Sequence, residues 1–220
     1  MTDLNTAKQI FEMRDYDLTK LSRHAELQAS YLECLKQKKT PLIVDCGGNI
    51  GFASLYFSLT FPQAKIVCVE PDKSNVIQAK LNNKNRDVDF HQAAIGSVDA
   101  QGSIVDPGLG NNAFRVSKEA SGDLEIQSIT SILKRPGIAN AVPFIVKIDI
   151  EGFENELFSK NTEWVDQFPL LIIELHDWML PKTANSNQFL QVISKLDRDF
   201  VYMSENVFSI SNSIDGQISR

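Results

Sequence analysis

Apolar residues are distributed along this chain in two textures. Over residues 1–40 they are spaced among polar ones, and Leu4, Ile10, Leu18, Leu21, Leu27, Leu32 and Leu35 predict one or two amphipathic helices. From Pro41 onward they gather into short solid runs. LIVDCGG (42–48) predicts a buried strand ending in glycines, and IGFASLYFSLTF (50–61) a helix. KIVCVEP (65–71) predicts a second strand, a polar helix follows over 73–85, and VDFHQAAIG (88–96) predicts a third strand. Residues 97–128 break this rhythm. Rich in Gly, Ser, Asn and Asp, with short β-like pieces, they predict a hairpin-like insertion. The alternation resumes with PFIVKIDIEG (143–152), a helix to about 160, LLIIELH (170–176) and a helix over 186–197. FVYM (200–203) and VFSI (207–210) predict a closing antiparallel pair. Strands alternating with helices specify an α/β fold, a mostly parallel sheet with helices on both faces. Without internal repeats or a linker, the chain reads as one domain over 41–220. A helical cap over 1–40 precedes it, and either covers an edge of that domain or lines a cleft.

Composition narrows the class. With 220 residues, 43% apolar and 23% charged, the chain is an ordinary globular domain. Its net charge of −6 argues against a protein that coats nucleic acid or a membrane surface, which needs basic clusters. Cys34, Cys46 and Cys68 are too few and too scattered for a disulfide framework or a zinc site. The start, MTDLNTAKQIFEMRDYD, reads as too charged for a secretory signal, and no apolar run approaches the roughly 20 residues of a membrane helix. The expectation is a cytoplasmic protein with no membrane insertion and no nucleic-acid partner. The charge is also unevenly spread. Between Pro143 and Asp177 eight acids stand against two lysines, an excess as large as that of the whole chain.

The first strand runs into Asp45-Cys46-Gly47-Gly48-Asn49-Ile50-Gly51. Glycines at a strand-to-helix turn let a ligand approach the backbone, and the following helix offers free N–H groups. The order of a dinucleotide fingerprint, G-x-G-x-x-G, is absent, because its first position falls on Cys46. Asp45 would repel a pyrophosphate and attract an ammonium. S-adenosylmethionine, which carries an ammonium and a sulfonium, suits such an acid. Glu70 ends the second strand, 19 residues past Gly51, where a carboxylate can accept both hydroxyls of a ribose.

The stretches DCGGNIGFAS, VEPD, HQAAIG and KIDIEGFE, with the later IIELH, resemble class I S-adenosylmethionine-dependent methyltransferases over about residues 41–177. KIDIEGFE is the most specific and points to the FkbM branch. The resemblance implies a Rossmann-like seven-stranded sheet, S-adenosylmethionine as methyl donor, and O-methylation of a hydroxyl on a sugar, polyketide or other small metabolite. By position it implies that Asp45, Gly47, Gly48, Asn49 and Gly51 surround the methionine part of the donor. Glu70 would bind the ribose, Pro71 and Asp72 would border the adenosine, and Ala93 and Ala94 would lie against the adenine. For the two alanines, plain close packing is an equal alternative. Where many relatives have Leu-Asp-Asp before the fourth strand, this chain has Ile129-Thr130-Ser131.

Ligands of open α/β sheets bind at the carboxyl ends of the strands. There the fourth run places Lys147, Asp149 and Glu151 on one face of an extended chain, and the fifth closes with Glu174-Leu175-His176. His176 is the first candidate for the base that takes a proton from an acceptor hydroxyl, its ordinary pKa of about 6.5 suiting that task. Asp149 or Glu151 would orient the acceptor or act as base instead, and Lys147 would pair with Asp149. A third version has Asp149, Glu151, Glu174 and His176 hold a divalent metal such as Mg²⁺ or Mn²⁺. His24 and His91 read as packed histidines, and Glu154, Glu156, Glu163 and Asp166 as a solvated helix face. Trp164 reads as core and Trp178 as core or acceptor wall. Asn111, Asn112 and Arg115 are weaker candidates for substrate contacts. Two rival functions stand beside methyl transfer. The misplaced glycines and Asp45 argue against an NAD-dependent dehydrogenase, whereas a non-catalytic module that binds S-adenosylmethionine would share the same motifs.

Overall fold

Each solid apolar run becomes a strand because its alternate side chains are buried on opposite faces of one sheet. The computed structural model describes residues 2–105, 115–118, 122–138 and 140–214. Its strands are β1 (Thr40–Cys46), β2 (Lys65–Glu70), β3 (Val88–Gln92), β4 (Ala94–Gly96), β5 (Ala100–Val105), β6 (Arg115–Lys118), β7 (Leu124–Ser128), β8 (Ala141–Ile148), β9 (Leu170–Glu174), β10 (Arg198–Met203) and β11 (Asn206–Ser211). The helices are α1 (Thr2–Ala7), α2 (His24–Lys36), α3 (Phe52–Thr60), α4 (Lys73–Asn82), α5 (Ile129–Leu133), α6 (Glu154–Leu157) and α7 (Asn187–Ile193).

The main sheet has seven strands in the order β10-β11-β9-β8-β1-β2-β3. From β9 to β3 all neighbours are parallel, and β11 runs antiparallel to both β9 and β10. This is the expected α/β architecture with its antiparallel closing pair. Leu42, Val44, Val146, Ile148 and Ile173 face one core with Phe158, Trp164 and Phe189. Ile43, Ile66, Ile145 and Ile172 face the other with Leu27, Tyr31 and Phe57. Helices therefore cover both faces. Ile10, Tyr16, Leu18 and Leu21 of the N-terminal segment belong to the second core, whereas Leu4 and Leu32 are exposed.

Three sequence expectations change. The third strand divides: β3 ends at Gln92, Ala93 donates its N–H to the Glu70 carbonyl, and the chain turns into β4. β4 pairs with β7 in a separate four-stranded sheet, β4-β7-β5-β6, so the insertion carries its own sheet and takes Ala94 with it. Asn111 and Asn112 lie outside the described residues. The helix expected to reach about 160 is the single turn α6, after which the Ser159 N–H bonds to Glu156 with the tighter i→i−3 spacing. β9 ends at Glu174, leaving His176 just beyond the strand. No helix among the described residues is long and apolar enough to cross a membrane.

Candidate active site

The β1–α3 loop is shaped by close approaches. Gly47, Asn49 and Gly51 all have φ between 47° and 80°. A β-carbon on Gly47 would fall 1.7 Å from the Asp149 carbonyl oxygen, and one on Gly48 would fall 2.1 Å from Cys68 Sγ. The glycines thus let the loop lie against β2 and the end of β8. The loop amides are already engaged. Gly47 and Gly48 donate to the Val69 carbonyl, Asn49 to Glu70 Oε2 at 2.8 Å, Ile50 to Asn49 Oδ1 and Gly51 to the Gly48 carbonyl. No N–H from Gly47 to Gly51 is left for a pyrophosphate, which argues further against the dehydrogenase reading. The N-terminus of α3 has no side-chain cap, and Phe52 and Ala53 present it to the pocket described below.

Asp45 has zero exposure, so the ammonium that answers it comes from the chain itself. Lys147 Nζ stands 3.3 Å from Asp45 Oδ1 and 3.4 Å from Asp149 Oδ2, and donates to the Gly47 carbonyl at 2.7 Å. Burial alone would lower the lysine pKa, but Asp45 and Asp149 outweigh it and hold it well above the ordinary value. Ser54 Oγ donates to Asp45 Oδ2. At the end of β2, Glu70 Oε1 accepts from the Asp72 N–H and from Asn75 Nδ2. Burial raises its pKa, against the opposing pull of these bonds and that from Asn49. Asp72 caps α4 by accepting from the Asn75 N–H, and Pro71 is half-buried beside it. Ala93 sits in the main core and Ala94 packs with Leu124 and Ile126 in the small sheet, so close packing accounts for both.

The catalytic candidates do converge. Asp149 Oδ1 and Glu174 Oε1 lie 3.5 Å from His176 Nε2, and Glu151 Oε2 lies 3.7 Å from it. Behind the ring, His176 Nδ1 is 2.7 Å from Glu154 Oε1. Glu154 also accepts from Asn185 Nδ2 and from the Gly152 N–H. The expectation of a solvated Glu154 is therefore corrected: it is fully buried, because the turn into α6 points it back at His176. Burial and the charge of Asp149 push the Glu151 carboxyl up to about 7 and that of Glu174 up to about 8. Burial would lower the His176 pKa, but the bond to Glu154 and the charges of Glu154, Asp149 and Glu151 raise it to about 9. This lies above the ordinary value of about 6.5 on which the expectation of an imidazole base rested.

These groups open into a cavity of about 460 Å³. One wall is the loop and helix start from Gly48 to Ala53, and another is the acid–histidine cluster with Lys147. Trp178, 72% exposed, is tilted beside the His176 ring at 6.5 Å and completes that side with Met179. Sequence reasoning missed the remaining wall, to which Ile10, Asp15 and Tyr16 contribute from the N-terminal segment and Glu205 and Asn206 from the β10–β11 turn. Gln9 Nε2 donates to Glu205 Oε2 and Ser204 Oγ to Asp15 Oδ1, tying the two ends of the chain together there. For Glu154 a signal existed, since it is the last residue of KIDIEGFE; for Asp15, Tyr16 and Glu205 there was none. Trp164 is core, and His91 pairs with Asp89 and Arg135 away from this cavity.

No curated protein matches the chain in sequence. Among solved structures it is similar to the methyltransferase FkbM of Methylobacillus flagellatus KT, at 16% identity and a TM-score of 0.51, over 78% of this chain and 43% of that one. The chain thus spans less than half the length of that protein. It is also similar to a precorrin-6y C5,15-methyltransferase of Geobacter metallireducens GS-15, at 12% identity and a TM-score of 0.42, over 84% of this chain and 86% of that one. The first likeness is one of fold. The sequence family described as methyltransferase FkbM domain matches residues 45–203. With most of its length inside that match, the chain belongs to the FkbM methyltransferase family.

Proposed function

We propose that this protein is an S-adenosylmethionine-dependent methyltransferase that methylates a hydroxyl of a small metabolite or sugar. One observation carries the reading: a single cavity joins the glycine-loop edge of the sheet to the acid–histidine cluster at the ends of β8 and β9. When bound, the donor supplies an electrophilic methyl group on a sulfonium leaving group. The residues present fit it. The uncapped start of α3, with Phe52 and Ala53 on the cavity, suits the α-carboxylate of its methionine part, and Asp149 suits the ammonium. The Glu70 oxygens accept three donors and have about four lone-pair sites, so one remains for a ribose hydroxyl at the Glu70–Asp72 turn.

The acceptor hydroxyl falls to Asp149, Glu151 and His176. Asp149 and Glu151 are partly exposed to the cavity, so they meet the hydroxyl first, orient it and take its proton as the C–O bond forms. Such a base contributes about 10²–10⁴-fold. His176, held by Glu154, keeps the carboxylates gathered, and Trp178 offers an apolar wall to the acceptor skeleton. Most of the remaining rate comes from fixing two reactants in line.

Calorimetry with S-adenosylhomocysteine and NAD tests the cofactor. Micromolar binding of the first and none of the second is expected, and the reverse result would sink the proposal. Transfer of a labelled methyl group to a panel of sugar, polyketide and amine acceptors then tests the hydroxyl assignment. Labelling confined to amines would refute it, and donor binding with no transfer to any acceptor would favour a non-catalytic module.

A further inference from the structure

His176 Nε2 is the point on which the acids of the cavity converge, yet among the described residues no hydrogen bond reaches it. The imidazole is 1% exposed and lines the cavity, so what little of it is open faces that cavity. Asp149 Oδ1, one of the oxygens facing it, is a buried atom with no hydrogen-bond partner among the described residues. The other ring nitrogen is fixed. Nδ1 is bonded to Glu154, which is itself fully buried and anchored by Asn185 and the Gly152 amide. A carboxylate behind an imidazole sets the ring orientation and aims Nε2 outward, the arrangement that stands behind metal-ligating histidines, where the metal takes the place of the Nε2 proton.

Spacing and charge agree with this. Ligand atoms about 2.1 Å from a cation stand roughly 3.0–3.4 Å from one another in octahedral or tetrahedral geometry. The separations here, 3.5–3.7 Å to Nε2, are slightly wider; the ligand atoms of Asp149, Glu151 and His176 all lie within 4.8 Å of one another, and Glu174, outside that trio, approaches through Nε2 alone. A small side-chain movement closes them onto an ion. Asp149, Glu151 and Glu174 face the centre and Glu154 lies behind it, while Lys147, the lysine beside them, is shared with Asp45. A cation bound at Nε2 would replace the imidazole proton and bring a larger positive charge to the middle of these acids.

We propose that Asp149, Glu151, Glu174 and His176 bind one divalent cation, with Glu154 positioning the histidine. Three carboxylates and one imidazole suit Mg²⁺ or Mn²⁺. Four protein ligands leave about two of six positions for water or for an acceptor oxygen. This deepens the methyltransferase reading and rests on it for its purpose, with Asp149 and Glu151 acting on the acceptor through the cation rather than as direct bases: the cation would lie where the acceptor hydroxyl arrives and would lower the cost of its negative charge.

The test is a titration of the full chain with Mn²⁺, followed by the electron paramagnetic resonance of the free ion, beside calorimetry with S-adenosylhomocysteine on the same samples. One tightly bound Mn²⁺ per chain is expected. Glu174→Gln and Glu151→Gln should each weaken it at least about tenfold, and Glu154→Gln by about 10–100-fold, with cofactor affinity within about twofold. His176→Ala should do the same. Because its removal leaves Glu154 buried without the ring, the two partly exposed acids carry the decision if that variant does not fold. Absence of Mn²⁺ binding, or binding unchanged in Glu174→Gln and Glu151→Gln, overturns the metal site even when S-adenosylhomocysteine binds. Mn²⁺ binding sensitive to these variants, with no cofactor binding, supports the metal site and overturns the methyltransferase reading instead.

Discussion

Lys147 and Asp45 form a buried pair whose value lies in its completeness. With Asp45 at zero exposure, Lys147→Met leaves a carboxylate with Ser54 as its one remaining side-chain donor among the described residues. Removing one partner of such a pair costs about 3–5 kcal/mol. The expected readout is a lower denaturation midpoint with an unchanged slope, and stability within 1 kcal/mol of the parent, on the order of a surface substitution, would refute the pairing. Gly48 offers a sharper case. Its φ is not in the left-handed region, so only the contact with Cys68 Sγ forbids a side chain. Gly48→Ala should destabilise strongly, and adding Cys68→Ala should recover about 1–2 kcal/mol through a favourable coupling. Additive losses would mean that the loop moved instead. Asp45 and the glycines stood out in the sequence, but their partners did not, since Lys147 and Cys68 are remote in the chain.

At the scale of elements, α5 shows how a cap is assembled from distant parts. Ser128 Oγ accepts from the Ser131 N–H, and Asp99 accepts from the Ser128 N–H at 2.7 Å and from Ser131 Oγ. The acid of this cap comes from the turn after β4, 29 positions before Ser128. Burial would raise the Asp99 pKa, but the Ser131 and Ser128 bonds lower it below the ordinary value. The stabilisation is therefore full above the unfolded value of about 3.9 and is lost as pH falls through the lower folded one. Asp99→Asn should cost about 1 kcal/mol at pH 7, the difference shrinking below pH of about 4, as followed by thermal unfolding at both pH values. A difference independent of pH would contradict the assignment. Strand positions were legible because a run buried on both faces has no other stable form. The break at Ala93 was not, since no Gly or Pro marks it within 88–95 and the turn depends on pairing with β7.

For the molecule as a whole, the N-terminal segment proves to be both a cover and a wall. Tyr16 packs on Phe57 at 5.5 Å between centroids while lining the cavity. Burial drives its pKa upward, so it stays a neutral phenol. Tyr16→Ala should cost about 3–5 kcal/mol, as other buried aromatic truncations do, and should weaken S-adenosylhomocysteine binding, whereas Tyr16→Phe should retain both. Equal losses in the two variants, by calorimetry and thermal unfolding, would point to the hydroxyl instead.

The acidic excess of 143–177 was visible in composition, and the structure divides it. Asp149, Glu151 and Glu174 face the cavity, Glu154 is buried behind His176, Glu156 accepts from Ser97 Oγ, and Asp177 accepts from the Ser186 N–H. Asp15 and Glu205, outside that segment, join the cavity wall. Periodicity, glycines and strand-end polar residues are local properties. They determined the strands, the parallel sheet and the edge at which chemistry gathers. Which acids meet, which one is buried and which answers the lysine depended on groups separated by up to 196 positions, as Gln9 and Glu205 are. Only close packing of both cores against one sheet brings such groups within a hydrogen bond of each other.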